Sequence, residues 1–340
     1  MGHFVYVANA DSQDLSVFEL APRGELWSRA RVDVHRPPLS GRSVVLTQDP
    51  GGRFLYAGHL SSAAQSAVST FSLDPHTGMP ALQGSCAVVD SMSYLSVDRT
   101  GRFLFGASYA GSKVAVYRIN PDGTIGDALQ ILATEPKAHC VLVDPSNRVA
   151  LHTSVGGDVI YQQAFDAGNG TFSPKDPPTM RVTAGSGPRF LVFSADARFV
   201  YVISELDGAV TVFPFDAASG TLRDKVQVGS SLPAGFAGKP WGADIHLRPD
   251  GRYLYVSERT SSTLTAFAVE PAGGTLASVA SYPTVEQPRA FNIDPSGEFL
   301  VCAGQISNSI RLYRIDKASG RLTPLEEYPV GKNPTWVEIT

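Results

Sequence analysis

Three arginines, one glutamate and one histidine occupy corresponding places in different copies of a repeated segment. They are Arg189, Arg259, Arg289, Glu205 and His139. The planar guanidinium group of arginine binds carboxylate and phosphate groups through paired hydrogen bonds and stays charged at neutral pH. A glutamate or a histidine can act as a general acid or base, and the ordinary pKa of histidine lies near neutrality. Together these residue types predict a site that binds an anionic substrate and activates water.

The repeat that carries these residues starts with an acidic turn containing Pro and Gly, followed by a basic residue and an apolar-aromatic strand. Examples are DPGGRFLYAG, DRTGRFLFGA and RPDGRYLYVS, and a second strand such as VSTFSL and an outer turn such as AASGTL follow. Alternating β-branched and aromatic residues between such turns indicate strands joined by hairpins. Units of about 45 to 55 residues with four short strands are typical of propeller blades. The matching strand positions are Phe4, Phe54, Phe103, Val149, Phe199, Tyr253 and Phe299.

The two ends of the chain predict how the ring closes. The chain opens with the second half of a seventh copy, HFVYVANA, and its tail NPTWVEIT is similar to the innermost strands QPRAFNID and GPRFLVFS. The C-terminal strand should therefore join the N-terminal blade, which leaves no open strand edge. We predict an all-β fold, one seven-bladed β-propeller domain of four-stranded antiparallel blades over residues 1–340. An open β-solenoid, the alternative, would not need matching half-repeats at its ends.

The path of the strands predicts which side chains meet. The innermost strand of a blade runs from one face of the disc to the acidic turn on the other face, and the second strand returns. Residues that start inner strands and residues that end second strands should therefore share one face near the axis. The starts are Val44, Ser93, His139, Arg189, Ala243, Arg289 and Thr335, and the ends are Ala10, His59, Tyr109, Val155, Glu205, Arg259 and Gln305.

The charged residues on this face are not needed by the repeat, because other blades have Val, Ala, Ser or Thr there. Charges held near a shared axis are costly unless they are paired or used. They therefore predict a convergent polar site on a rigid scaffold. The alternative is that each arginine pairs with a carboxylate such as Glu205 and ties blades together.

Six residues, Arg289 among them, are predicted to line the pocket and bind substrate. For His246, a structural pair with Asp244 on the same strand is the competing interpretation. The Asp-rich turns lie on the opposite face and indicate turn chemistry rather than a metal site. Motifs for metal, nucleotide or dinucleotide binding are absent, so we expect no metal and no other cofactor. The six residues are Arg289, Gln305, Tyr109, His246, Asn292 and Trp241.

Composition restricts the partners and the compartment. The net charge is -4 and no block of Lys or Arg stands out, which argues against nucleic acid and anionic membranes. Cys86, Cys140 and Cys302 are too scattered for a disulfide framework, which indicates a reducing compartment. Neither a signal peptide nor a long apolar run occurs in the sequence. We therefore expect a soluble, cytoplasmic protein, and its oligomeric state stays open.

The strings GPRFLVFSADARFVYVISELDGAVTVF, WGADIHLRPDGRYLYVSERTSSTLTAF and QPRAFNIDPSGEFLVCAGQISNSI resemble the propeller-type 6-phosphogluconolactonases. They are also similar to the fungal 3-carboxy-cis,cis-muconate cyclases, which share that fold. The resemblance covers nearly the whole chain. It implies a site made of His139 in KAHC, Arg189 in GPRF, Glu205 in SELDG and Arg259 in ERTSS. The repeat alone places the same four residues on one face.

The resemblance implies a lactonase without metal that hydrolyses an anionic sugar lactone. Its substrate would be 6-phospho-D-glucono-1,5-lactone, and its product 6-phosphogluconate, in the pentose phosphate pathway. His139 or Glu205 would activate water, and an arginine would stabilise the oxyanion; which of the two is the base stays open. One alternative is a muconate cyclase, or a lactonase acting on carboxylated or unphosphorylated lactones. Another is a non-catalytic propeller that binds a protein partner, which would require an exposed apolar patch.

Overall fold

A computed structural model describes residues 3–35, 43–60 and 66–340, which contain strands and turns but no helix. The strands form seven antiparallel sheets. The innermost strand of each sheet packs against the innermost strands of its two neighbours, so the sheets close into a ring. The predicted seven-bladed β-propeller is therefore confirmed. Within the described ranges no helix is present that could cross a membrane.

The strand bounds follow the repeat. The first four blades use β1 (His3–Asn9), β2 (Asp14–Leu20), β3 (Leu26–Asp33), β4 (Ser43–Gln48), β5 (Phe54–Leu60), β6 (Ala67–Leu73), β7 (Pro80–Ala87), β8 (Tyr94–Val97), β9 (Phe103–Ser108), β10 (Lys113–Ile119), β11 (Ile125–Ala133), β12 (Ala138–Val143), β13 (Val149–Ser154), β14 (Val159–Asp166) and β15 (Thr171–Arg181). The remaining strands are β16 (Pro188–Phe193), β17 (Phe199–Ser204), β18 (Ala209–Asp216), β19 (Thr221–Leu222), β20 (Gln227–Ser230), β21 (Gly242–Leu247), β22 (Tyr253–Glu258), β23 (Thr263–Val269), β24 (Leu276–Pro283), β25 (Pro288–Ile293), β26 (Phe299–Gly304), β27 (Ser309–Ile315), β28 (Leu322–Pro329) and β29 (Pro334–Ile339).

Blade 1 contains both ends of the chain, in the order β29-β1-β2-β3 from the axis outward. Blades 2, 3 and 4 start at β4, β8 and β12, and blades 5, 6 and 7 start at β16, β21 and β25. In blade 5 the outer strand is divided into β19 and β20, which both pair with β18. β1 and β29 are antiparallel, with Val5 opposite Ile339 and Val7 opposite Val337. This pairing is the predicted ring closure.

Burial follows the position of a strand in its blade. All six residues of the second strand β9 are buried, because neighbouring blades cover both of its faces. After a buried first residue, the outer strand β11 alternates between partly buried and exposed residues, since only one of its faces is covered. The hydrophobic core therefore lies between the blades.

The acidic turns are held by their own side chains. Oδ1 of Asp98 accepts hydrogen bonds from the backbone N–H of Arg102 at 2.7 Å and of Phe103 at 2.9 Å. The carboxylates of Asp49, Asp144 and Asp294 hold the same two backbone positions in their own turns. Aspartate thus closes the turn between the inner and second strands, as the sequence predicts.

One glycine contact joins each pair of neighbouring blades. Gly170, in the outer turn of blade 4, has a φ of +75°, and a Cβ there would lie 2.2 Å from the ring of Phe103 in blade 3. The same turn position faces the first residue of the second strand in the preceding blade, except in blade 1, where it faces the second residue of β1. The pairs are Gly24 with Phe299, Gly78 with Phe4, Gly123 with Phe54, Gly220 with Val149, Gly274 with Phe199 and Gly320 with Tyr253.

Candidate active site

Irregular strand starts place three of the predicted side chains. In β12 the register shifts between Ala138 and Cys140, so His139 is an extra residue opposite its partner strand. Arg189 in β16 and Arg289 in β25 are extra residues of the same kind. Such β-bulges redirect a side chain and are common beside active sites. In this protein the three bulges lie at the start of the innermost strands of blades 4, 5 and 7.

The other two charged residues directly follow second strands. Glu205 comes after β17, and its backbone N–H donates to the carbonyl of Gly187 at 2.7 Å. Arg259 comes after β22, and its backbone N–H donates to the carbonyl of Trp241 at 3.1 Å. The backbone carbonyl of Glu205 accepts from the N–H of Gly242 at 3.0 Å. Blades 5 and 6 are therefore tied together directly at the site.

Glu205 is the centre of the cluster. Its Oε2 accepts hydrogen bonds from Nε of Arg189 at 3.2 Å and from Nη2 of Arg259 at 3.2 Å. Nε2 of His139 lies 3.9 Å from the same oxygen. Glu205 is 8 % exposed, Arg189 1 %, and Arg259 and His139 3 % each. The structure thus brings the four predicted catalytic residues into one buried group.

Both arginines are fixed by further contacts. Arg189 donates through Nη1 to the carbonyl of Ala243, and its guanidinium carbon lies 4.0 Å from the centre of the Phe190 ring. Arg259 donates to the carbonyl of Gly242 at 2.9 Å, and its guanidinium carbon lies 3.9 Å from the centre of the Trp241 ring. Arginine stacked on an aromatic face has a defined plane.

The electrostatic environment of the cluster keeps His139 neutral. Burial, followed by the positive charges of Arg189 and Arg289, holds the pKa of His139 well below its ordinary value. Burial and then Arg189 also lower the pKa of Arg259, although Glu205 opposes this effect. Nδ1 of His139 is buried and has no hydrogen-bond partner within the described ranges. A neutral imidazole with Nε2 toward Glu205 can accept a proton.

Three aromatic rings form the floor of the site. Tyr94, Phe190 and Trp336 come from the inner strands of blades 3, 5 and 1, and their ring centres lie 4.9 to 5.8 Å apart. Phe190 also lies 5.2 Å from the ring of His139. Rings from three non-adjacent blades therefore meet across the axis beneath the charged cluster.

The aromatic floor was not predicted from the sequence. Each of its residues lies one position after an inner-strand start, after Ser93, Arg189 and Thr335 respectively. Aligning the residue after each inner-strand start would therefore have suggested that these three rings meet.

Two of the predicted substrate-binding residues border the cluster. The ring of Tyr109 packs edge-on against His139 at 5.5 Å, and Nζ of Lys137 lies 5.7 Å from the centre of the Tyr109 ring. Trp241, stacked on Arg259, remains 39 % exposed. Lys137 was not singled out from the sequence. These residues form part of the wall around the buried group.

Arg289 is the third guanidinium of the site. It is partly exposed. Burial and then Arg189 lower the pKa of Arg289 to about 10, while Glu205, Asp244 and Tyr109 act in the opposite direction. Arg289 is the extra residue of the β-bulge that starts the inner strand of blade 7, so it lies on the same face of the ring as His139 and Arg189. It remains charged at neutral pH.

The side-chain amides of Gln305 and Asn292, both predicted to bind substrate, form hydrogen bonds with residues outside the charged cluster. Nε2 of Gln305 donates to Oδ1 of Asn333 at 2.8 Å, and its Oε1 accepts from Gln287 at 3.1 Å. Nδ2 of Asn292 donates to the carbonyl of Val337 at 3.2 Å. The structure brings neither amide into hydrogen-bonding contact with the four central residues. Their role in substrate binding stays a prediction.

His246 forms the structural pair that the sequence suggested as an alternative. Its Nε2 lies 3.3 Å from Oδ1 of Asp244, and its ring packs against Phe291 at 4.9 Å. Although burial opposes it, the carboxylate of Asp244 raises the pKa of His246 above its ordinary value. This pair lies deeper along the inner strand than the cluster. A direct contact of His246 with substrate also stays a prediction.

The chemistry of the central donors does not suit a metal ion, because guanidinium groups are cations without an acceptor. Among residues 3–35, 43–60 and 66–340, no group of three or more His, Cys, Asp and Glu side chains could hold one. The cluster is instead suited to binding an anionic or developing negative charge. Catalysis without a metal stays a prediction.

The chain is similar in sequence and in structure to proteins that are named as lactonases. A 6-phosphogluconolactonase of Pectobacterium carotovorum is 40% identical over 295 residues, which is 86% of this chain and 85% of that protein. A 6-phosphogluconolactonase of Cronobacter sakazakii is 35% identical over 294 residues, again 86% and 85% of the two chains. A solved structure, the periplasmic gluconolactonase of Pseudomonas aeruginosa, is 27% identical with a TM-score of 0.90, covering 100% of this chain and 99% of that one. Because that relative is periplasmic, a cytoplasmic location stays a prediction.

The sequence profile of the family described as Lactonase, 7-bladed beta-propeller, matches residues 40–339. This range includes all of the charged cluster and the inner strands of all seven blades. The relatives, the matched range and the ring of blades agree, and the chain belongs to the seven-bladed β-propeller lactonase family.

Proposed function

We propose that this protein hydrolyses 6-phospho-D-glucono-1,5-lactone to 6-phosphogluconate, the lactonase step of the pentose phosphate pathway. The relatives that carry this activity in their names cover 86% of the chain at 35% to 40% identity. The observation that carries the proposal is the buried group in which Glu205 contacts Arg189, Arg259 and His139. Such a group offers a base together with positive charge for a developing oxyanion.

His139 is the better candidate for the base. The Oε2 of Glu205 already accepts hydrogen bonds from Arg189 and Arg259, so this oxygen is committed to the two guanidinium groups. His139 is neutral, and its Nε2 faces Glu205 without a direct hydrogen bond. In this role Glu205 stabilises the imidazolium that forms and orients the two arginines.

The reaction then proceeds in two balanced steps. Water attacks the lactone carbonyl carbon, one of its protons passes to Nε2 of His139, and the carbonyl oxygen becomes an oxyanion. When the bond from that carbon to the ring oxygen breaks, His139 returns the proton to the ring oxygen. The product is an open-chain hydroxy acid, which loses its acidic proton to water.

The two buried arginines supply the electrostatic stabilisation. Within the described part of the chain, Nη2 of Arg189 and Nη1 of Arg259 have no hydrogen-bond partner, whereas their other nitrogens are engaged. Donors that are fixed before the reaction stabilise a developing charge without reorganisation. Stacking on Phe190 and Trp241 holds both groups in place.

A substrate panel tests the proposed function. Purified protein, treated with a chelator, is given 6-phospho-D-glucono-1,5-lactone, D-glucono-1,5-lactone and a carboxymuconolactone, and acid release above the spontaneous rate is measured. We expect the highest kcat/KM with the phosphorylated lactone. Preference for the carboxymuconolactone would favour the cyclase alternative. Hydrolysis of none of the three would contradict the lactonase proposal, and loss of activity with chelator would contradict a mechanism without metal.

A further inference from the structure

The positive charge of the site exceeds its negative charge. Arg189 and Arg259 share the one carboxylate of Glu205, so these three residues together carry a single net positive charge. Arg289 adds another positive charge on the same face of the ring, where it occupies the β-bulge of blade 7 that corresponds to those of His139 and Arg189. An excess of buried or partly buried positive charge is costly unless an anion compensates it.

In the part of the chain that the structure describes, no carboxylate partner compensates the charge of Arg289. Within residues 3–35, 43–60 and 66–340, its guanidinium makes no hydrogen bond or ion pair of the kind seen for Arg189 and Arg259. The nearby carboxylate of Asp244 is occupied by other donors. Its Oδ1 lies 3.3 Å from Nε2 of His246, and its Oδ2 accepts from the backbone N–H of Phe291 at 3.1 Å.

Access also distinguishes Arg289 from the other two arginines. Arg189 and Arg259 are almost completely buried, and most of their nitrogens are bound to Glu205 or to backbone carbonyls. Arg289 is partly exposed and charged at neutral pH. Its planar fork can therefore bind two oxygens of an incoming phosphoryl group.

The position of Arg289 suits a second contact point on the substrate. His139 lies in blade 4 and Arg289 in blade 7, on different sides of the ring. The phosphoryl group of the proposed substrate is separate from the lactone carbonyl, so the two groups need separate contacts. An anchor on blade 7 leaves His139 free for the carbonyl.

We propose that Arg289 binds the phosphoryl group of the substrate and is the residue that makes the enzyme prefer phosphorylated over unphosphorylated sugar lactones. The inference rests on the proposed function and assigns its substrate selectivity to one side chain. Arg189 and Arg259, in contrast, are committed to Glu205 and to the reacting carbonyl.

The variant Arg289→Gln tests this assignment, with Arg289→Lys as the conservative variant. Arg252→Gln is the matched control, because Arg252 is exposed in the turn between β21 and β22, on the opposite face. The ratio of kcat/KM for the phosphorylated lactone to that for D-glucono-1,5-lactone is measured for each protein. We expect this ratio to fall about 30- to 100-fold in Arg289→Gln, mostly through KM for the phosphorylated lactone, which corresponds to one bidentate charged contact. Arg289→Lys should recover part of the ratio, and Arg252→Gln should keep it.

Calorimetric binding separates this inference from the proposed function. The wild-type protein should bind 6-phosphogluconate more tightly than gluconate, and Arg289→Gln should lose most of that difference; inorganic phosphate is the probe for the phosphoryl group alone. This result would support the assignment even if no lactone were hydrolysed, in which case only the proposed function would fail. An unchanged ratio and unchanged binding of 6-phosphogluconate in folded Arg289→Gln would overturn the assignment. Equal loss on both lactones would also overturn it.

Discussion

The Nε atom of Arg189 lies 3.2 Å from the Oε2 atom of Glu205, and both side chains are buried beside the axis of the ring. Nη2 of Arg259 also lies 3.2 Å from this oxygen. One carboxylate therefore compensates the charges of two guanidinium groups from neighbouring blades. The alternative of an interblade ion pair and the hypothesis of a catalytic site are therefore not exclusive. The pair of Arg259 and Glu205 links blades 5 and 6, and the pair of Arg189 and Glu205 lies within blade 5. Both pairs also shape the proposed active site.

Removal of Glu205 should destabilise the fold. Glu205→Ala leaves two buried guanidinium groups without their carboxylate, and breaking a buried pair costs about 3–5 kcal/mol. Urea unfolding measures the change in the free energy of unfolding. The control Glu327→Ala removes the exposed partner of Arg311, 2.5 Å away, and should cost less than about 1 kcal/mol. Equal effects of the two variants would show that the buried group does not stabilise the blades.

The interblade glycine contact gives a second stability prediction. Gly170→Ala places a Cβ 2.2 Å from Phe103 at a φ of +75°, whereas Gly185→Ala has a φ of +76° and no atom within 4 Å. The positive φ alone costs about 1 kcal/mol. Gly170→Ala should cost about 1–3 kcal/mol more, because the ring must move. Similar melting temperatures of the two variants would contradict the role of this contact.

Titration of His139 gives a third prediction. Because burial and then Arg189 hold its pKa below the ordinary 6.5, His139 should stay neutral in the folded protein as the pH falls through 6.5. The unfolded chain binds the proton first, so His139 lowers the stability of the folded state below that pH. Imidazole NMR signals that vanish in His139→Gln identify the residue. A titration midpoint at or above 6.5 would contradict the described environment.

The Trp241 ring should position Arg259. Trp241→Ala removes the stacked face 3.9 Å from the guanidinium carbon, and the arginine gains freedom. We expect kcat to fall about tenfold, which corresponds to roughly 1.4 kcal/mol, and Trp241→Phe to retain most of the activity. Trp27→Ala is the control, since Trp27 is also beside an arginine but lies 50 % exposed on the outer strand β3. Equal kcat for wild type and Trp241→Ala would exclude this positioning role.

The repeat made the fold and the charged face predictable. Strand alternation, acidic turns and the matching chain ends are local patterns, and they determine the blades and their closure. Once the blades are aligned, His139, Arg189, Glu205 and Arg259 must share one face. The sequence therefore predicted which residues meet, although they lie far apart along the chain.

Other features depend on contacts between blades, which the repeat does not encode. The β-bulges at His139 and Arg189 break the strand alternation and appear only in the strand register. Arg189 and Arg259 can both donate to Oε2 of Glu205 because blades 5 and 6 are in direct contact at this point. Gln305 has the right position in the repeat, but its amide is bound to neighbouring amides. Position in a repeat thus predicts the face and not the partner.

The most direct test of the proposed catalytic cluster compares initial rates of 6-phospho-D-glucono-1,5-lactone hydrolysis by the wild type, His139→Gln and the surface control His76→Gln. Loss of a general base typically costs about 100- to 10,000-fold. We predict a loss of that size in kcat for His139→Gln, with an unchanged circular dichroism spectrum and normal activity of His76→Gln. Full activity of folded His139→Gln would contradict the proposal that His139 is the catalytic base.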